Sequence, residues 1–208
     1  MKIKQYIFNY LRKKQPERAC RFPHMDKPLK IMLIYESDYL ERNDAIKTIR
    51  QDLLRRQMDV TMWGYVEKKE ITTLILPQSR ILGMADYNLL GKPRDYVLTD
   101  LQAEHYDLFI DLTTRPLLPL RYLAMFVQAD FKVGLNLGEG MHDMLISLPD
   151  FSPEQSDQAQ IEASWLYQEI MKFITTIKSN DWRAHYPRTC TKIYFSSKYS
   201  DVLALPTN

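Results

Sequence analysis

Asp111-Leu-Thr-Thr-Arg115 groups the residue types that could act on a ligand: a carboxylate, two hydroxyls and a guanidinium. Asp111 is placed to serve as a base, Thr113 and Thr114 as hydroxyl donors, and Arg115 as a bidentate clamp on phosphate or carboxylate. Asp and Thr after a strand are also ordinary turn and capping residues, so this chemistry rests on position. In open α/β sheets ligands bind beyond the carboxyl ends of the strands, at the switch in strand order. Glu36-Ser37-Asp38, Trp63-Gly64-Tyr65 and Gly134-Leu-Asn136-Leu-Gly-Glu-Gly140 occupy the other such ends. The candidate ligand-binding residues are Asp111, Thr113, Thr114, Arg115, Glu36, Ser37 and Asn136; no catalytic role is assigned to any of them.

Several chemistries lack their residues. Dinucleotide binders keep G-x-G-x-x-G after the first strand, because backbone must approach a pyrophosphate closely. Tyr35-Glu-Ser-Asp-Tyr-Leu40 stands there instead, without glycine and with two acids that repel phosphate. The G-x-x-x-x-G-K-[ST] phosphate loop is missing too. Gly138-Glu-Gly140 with His142 and Asp143 admits a base or metal role for His142, but a glycine-rich turn entering the next strand explains the same letters and is preferred. His24, His105 and His185 share no ligand spacing with it or with the cysteines, so no metal and no cofactor are expected. No Ser or Cys stands in a nucleophile elbow. Trp182, Arg183, Tyr186, Arg188, Lys192, Tyr194, Phe195, Lys198 and Tyr199 interleave aromatic and basic side chains that could stack bases. Without a basic domain or RNA-binding signature, nucleic acid is not the expected partner.

The elements that must position these residues read as follows. Lys30-Ile-Met-Leu-Ile-Tyr35 is a strand, and Asn43 or Asp44 caps a helix with Ile46, Ile49, Leu53 and Leu54 at helical spacing. Val60-Thr-Met-Trp63 is the next strand, completing a right-handed β-α-β unit. Ile71-Leu76 is a strand or the end of a short helix, and Ala85-Pro93 reads as a short strand entering a turn. Pro93 starts a helix through Tyr96, Val97 and Leu101. Then come the strand Asp107-Leu112, a helix over Pro119-Gln128, and strands at Phe131-Gly134 and His142-Leu148. The longest helical pattern runs from Asp157 to Ile177 through Trp165 and Phe173, and Lys192-Phe195 offers a further strand. Apolar strands alternating with helices predict an α/β fold: a three-layer, Rossmann-like domain with a mostly parallel sheet.

Three segments follow: a basic leader helix and linker over 1–28, the α/β domain over 29–178, and an irregular tail over 179–208. In the leader, Ile3, Tyr6, Ile7, Tyr10 and Leu11 form one helical face among lysines. A helix packed on its own domain through that face is preferred to peripheral membrane contact through residues 1–14. A net charge of +2 demands no polyanionic partner. Cys20 and Cys190, near opposite ends of the chain and in no paired motif, fit a reducing compartment or a tail-to-tail contact, and the first is preferred. No signal peptide or membrane span is visible. The expectation is a cytoplasmic protein.

The run Tyr106-Leu112, Pro119-Leu-Arg-Tyr-Leu123, Ala129-Asp-Phe-Lys-Val-Gly134 and Asp143-Met-Leu-Ile146 resembles an uncharacterised family of small α/β proteins from Bacteroidetes. So do the basic leader, the strand at Ile31 and Gly91-Lys-Pro93. The resemblance covers most of Met1 to Ile177 and implies no activity. The rhythm D-L-x-I-D-L … A-x-F-K-V-G is similar, over about forty residues, to the N-terminal half of heptosyltransferase-type glycosyltransferases, whose second Rossmann-like half a chain of this length has no room for. The reading that follows is a non-catalytic ligand-binding or protein-interaction module, meeting a small molecule or a protein. The alternative is an enzyme or enzyme relic acting on a phosphorylated or nucleotide-sugar-like ligand at the C-terminal edge of the sheet.

Overall fold

The computed structural model describes residues 2–16, 18–37, 40–67, 79–137, 141–147, 162–176 and 193–196. Among these, the strands β1 (Lys30–Glu36), β2 (Asp59–Tyr65), β3 (Ser79–Leu82), β4 (Tyr106–Asp111), β5 (Ala129–Leu135), β6 (Met144–Ser147) and β7 (Ile193–Ser196) form one sheet in the order β3-β2-β1-β4-β5-β6-β7. Every pairing is parallel. Five helices accompany them: α1 (Lys2–Lys13), α2 (Leu40–Arg55), α3 (Asp95–Gln102), α4 (Leu118–Phe126) and α5 (Ala163–Thr176). The fold is α/β and Rossmann-like. Its strand order reverses between β1 and β4, so the crevice at their carboxyl ends is the topological switch point.

Buried strands read as continuous apolar runs because helices cover both faces. Alternation then sends neighbours to opposite sides. Ile31, Leu33, Leu108, Ile110, Phe131 and Val133 join Ile46, Ile49 and Leu53 of α2 and Leu166, Ile170 and Ile174 of α5 in one core. Met32, Ile34 and Phe109 join Val97 and Leu101 of α3 and Leu120, Leu123 and Ala124 of α4 in the other. α2 ends in a Schellman arrangement: the Met58 N–H reaches the Leu53 carbonyl and the Gln57 N–H the Leu54 carbonyl, with Gln57 at φ 61° where glycine is usual.

Several boundaries differ from those expected. β3 lies at Ser79–Leu82, whose four residues lack a recognisable apolar run, while Ile71-Leu76 falls outside the described residues. Ala85 and Asp86 belong to a 3-10 turn, and Tyr87 and Pro93 form an antiparallel bridge rather than a strand. The Asn88 side chain accepts from the N–H groups of Leu90 and Lys92 and closes that loop locally. α2 begins at Leu40, ahead of the expected cap. In α5 the residues of 157–161 lie outside the described set, and Trp165 and Phe173 are only partly buried. β6 starts at Met144, leaving His142 in the connection before it.

α1 rests on α4 through an unexpected residue. Phe8 is fully buried, edge-on to Tyr122 at 5.0 Å and beneath the Arg121 guanidinium at 4.3 Å. Gln5 accepts from Arg121 at 2.9 Å. Burial, with the Arg12 charge adding to it, lowers Arg121 to about 10. Of the expected contact face, Leu11 packs beside Phe8 and Tyr122, while Ile3, Tyr6 and Tyr10 point to solvent. From α1 the chain passes the start of β5, where Arg18 donates to the Ala129 and Asp130 carbonyls and pairs with Asp143. It then enters the opposite core at Phe22, which meets Phe131 edge-on at 5.2 Å. No described helix is long and apolar enough to cross a membrane.

Candidate functional site

β1 and β4 run side by side, pairing Ile34 with Asp111, and the Leu112 N–H extends the ladder to the Ile34 carbonyl. The chain then turns over its own side chain. The N–H and hydroxyl of Thr113 both donate to Asp111 Oδ1, at 2.9 and 2.5 Å. This turn aims the next two backbone N–H groups at the end of β1. Those of Thr114 and Arg115 donate to Glu36 Oε1 at 3.1 and 3.2 Å. Arg115 Nε and Nη2 donate to Glu36 Oε2 at 2.9 and 2.8 Å.

Two adjacent N–H groups and a guanidinium fork make an anion cradle. The anion in it is the chain's own. The Glu36 side chain is 2% exposed, so its charge is compensated by these four donors rather than by water. Arg115 thus makes a bidentate pair, and its partner is Glu36 of the chain itself. Asp111 is equally engaged: Oδ1 by Thr113, and Oδ2 by His142 Nε2 at 3.0 Å, within a buried pair. Against an ionised carboxylate, which only accepts, Nε2 carries the hydrogen. The His142 ring stacks on Phe109 with an interplanar angle of 11°.

Ser37 and Asn136 belong elsewhere. The Ser37 N–H continues the ladder to the Tyr65 carbonyl of β2. The Asn136 N–H reaches the Ile146 carbonyl and its side chain reaches Ser147 Oγ, both on β6. Glu36, Thr114 and Arg115 thus form one cluster, Asp111, Thr113 and His142 another, and the two share the β4–α4 loop.

His142 is the residue that sequence reasoning passed over in favour of a turn. Gly138-Glu-Gly140 lies outside the described residues, but His142 is buried against Asp111 and Phe109 of β4 and Gly134 of β5. A signal was present at Gly134. Glycine within a strand marks a close approach of other atoms, and Gly134 pairs with Asp111 across β4–β5. A Cβ there would lie 2.9 Å from His142 Nε2 and 3.0 Å from Asp111 Cβ. The missing side chain is the space that the histidine fills.

The same face of β5 carries a buried amine. Lys132, opposite Phe109 in register, donates from Nζ to the Ala124 carbonyl in the last turn of α4 at 2.7 Å. That carbonyl has no partner within the helix, so the amine caps α4 from inside the core. Burial, reinforced by Arg18 and opposed by Asp143, lowers Lys132 to about 7. Among the described residues no group of three or more His, Cys, Asp or Glu could hold a metal ion.

A model of a family of unknown function, DUF6913, matches residues 2–158, three-quarters of the chain. The chain belongs to that family. Both clusters and Gly134 fall within the matched span. No curated protein matches the sequence. Among solved structures the chain is similar to the E. coli heptosyltransferase WaaC with ADP, at 14% identity and a TM-score of 0.43. The match covers 72% of this chain and 48% of that one, so the chain spans about half the length of the enzyme.

Proposed function

We propose that this family member is a non-catalytic binding module whose switch-point crevice is held shut by its own glutamate. The observation that carries this reading is the cradle of Thr114 N–H, Arg115 N–H and the Arg115 guanidinium around Glu36. A phosphate or nucleotide entering there would have to displace a carboxylate that already has four donors. The partner, a small molecule or a protein, would then be recognised away from a phosphate subsite.

A thermal-shift screen with nucleotides, nucleotide sugars and sugar phosphates tests this. The wild type should show no shift, because Glu36 fills the cradle. Glu36→Ala, once shown to fold, should be stabilised by inorganic phosphate. A ligand at 100 times its dissociation constant adds about 2.7 kcal/mol, a readily visible shift. Stabilisation of the wild type by a phosphorylated compound, lost in a folded Arg115→Ala variant, would overturn the proposal. It would favour the second reading, an enzyme or enzyme relic acting on such a ligand at this edge. The buried Asp111–His142 pair supports that alternative, since a carboxylate-oriented imidazole is an arrangement used in acid–base chemistry. It predicts turnover of the stabilising compound, abolished by His142→Ala.

A further inference from the structure

The two faces of α1 are engaged unequally. Phe8 anchors one face on Tyr122 and Arg121, as described above. On the opposite side, Ile3, Tyr6 and Tyr10 follow the spacing i, i+3, i+7 and form one stripe. Ile3 and Tyr6 are each 72% exposed and Tyr10 is 49% exposed, so the side chains of the stripe project into solvent. Lys13 and Lys14, three and four residues after Tyr10, are exposed beside it, and the Lys14 ammonium sits 4.5 Å from the centre of the Tyr10 ring.

Charge is distributed in the same sense. The first fourteen residues contain five lysines and arginines and no acid, which leaves the remainder of the chain at net −3. A cationic helix with an outward aliphatic and tyrosine stripe, mounted on an acidic body, suits an anionic surface that is apolar just beneath its charge. A lipid headgroup layer has both properties. An acidic protein or nucleic acid offers the charge, but not a layer into which isoleucine and tyrosine can sink. Tyrosine suits this depth because its ring is apolar while its hydroxyl stays wet.

We infer that α1 is a peripheral membrane contact: it stays docked on α4 through Phe8 while Ile3, Tyr6 and Tyr10 enter an anionic lipid interface flanked by Lys13 and Lys14. Packing on α4 and contact with a membrane do not compete, because they would use opposite faces of one helix. This inference is independent of the switch-point crevice.

Co-sedimentation of the full-length protein tests it, using phosphatidylcholine vesicles with and without about a third phosphatidylserine. The protein should pellet with the anionic vesicles at low salt and not with the neutral ones. Binding should fall steeply as salt screens the lysines. The double variant Ile3→Asp, Tyr6→Asp should lose about tenfold or more in partitioning with its melting temperature unchanged, because both positions are exposed. Replacing Lys13 and Lys14 by Gln should lower binding about fivefold for each charge near the surface. Failure of the wild type to bind anionic vesicles at low salt would overturn the inference. So would vesicle binding unaffected by the double variant, which would place the contact on another surface. Retention on heparin without vesicle binding would mark a polyanion site and equally defeat it.

Discussion

The two faces of strands β4 and β5 are made from alternate residues of the same segments, yet they differ in kind. Toward α2 and α5 stand Leu108, Ile110, Phe131 and Val133, all apolar and fully buried. Toward α4 stand Phe109, Asp111, Lys132 and Gly134, where a buried carboxylate, a buried amine and a vacated side-chain position sit among apolar groups. The first face is a core that closes on itself by shape and area. The second costs desolvation at Lys132 and at the Asp111–His142 pair, and needs a named partner for every polar atom. One strand pair thus supplies stability from one side and a defined polar arrangement from the other.

Substitutions on the two faces should separate these roles. The largest effect is expected at Phe131, fully buried and in edge contact with Phe22. Phe131→Ala should cost about 3–5 kcal/mol in urea unfolding, through lost transfer energy and the cavity left behind. A cost under about 1 kcal/mol would mean that this face is not the stabilising one.

Next comes the pH dependence imposed by Lys132. Its folded value of about 7 lies below the ordinary 10.5, so between these limits the unfolded chain binds the extra proton. Stability should therefore rise with pH above about 7, by up to about 3 kcal/mol by pH 9.5 at 1.36 kcal/mol per unit. It should be lost as pH falls back toward 7. Lys132→Met should flatten that rise; near neutrality, relief of the buried amine is offset in part by the Ala124 carbonyl left without its donor, a cost of about 1–3 kcal/mol. Urea midpoints at two pH values compare the variant with the wild type. An identical slope in both would remove Lys132 from the account.

The smallest effect tests the fit between strand and histidine. Gly134→Ala should destabilise by about 1–3 kcal/mol, because the new methyl group meets His142 and Asp111. In a double-mutant cycle with His142→Ala, part of that cost should disappear as the ring vacates the space. Strict additivity would show that the glycine is not reserved for the histidine.

Much of the architecture was legible because hydrophobic period and turn chemistry are local. Tyr106–Asp111, Ala129–Leu135 and Leu118–Phe126 lie close to their expected places, bounded by Pro119 and by polar strand ends. β3 was not, since four residues with the pattern Ser-Arg-Ile-Leu carry too little signal to distinguish a strand from a loop. α1 showed its period but not which face packs. Phe8 falls outside the stripe of Ile3, Tyr6 and Tyr10, and only the presence of Arg121 and Tyr122 on α4 selects it.

The sequence by itself determined that strands and helices alternate, that the sheet is mostly parallel and buried on both faces, and that Asp111 to Arg115 lies at the carboxyl end of a strand. Those properties depend on side-chain type at short separation. Tertiary structure decided that Arg115 closes on Glu36, 79 positions away, and that Asp111 faces His142 at a separation of 31. Glu36 and Arg115 meet because parallel pairing brings the carboxyl ends of β1 and β4 to one edge, whereas His142 reaches Asp111 because β6 begins level with Val133, near the end of β5. Strand order and register are global properties of the packed chain, and no local window of residues contains them.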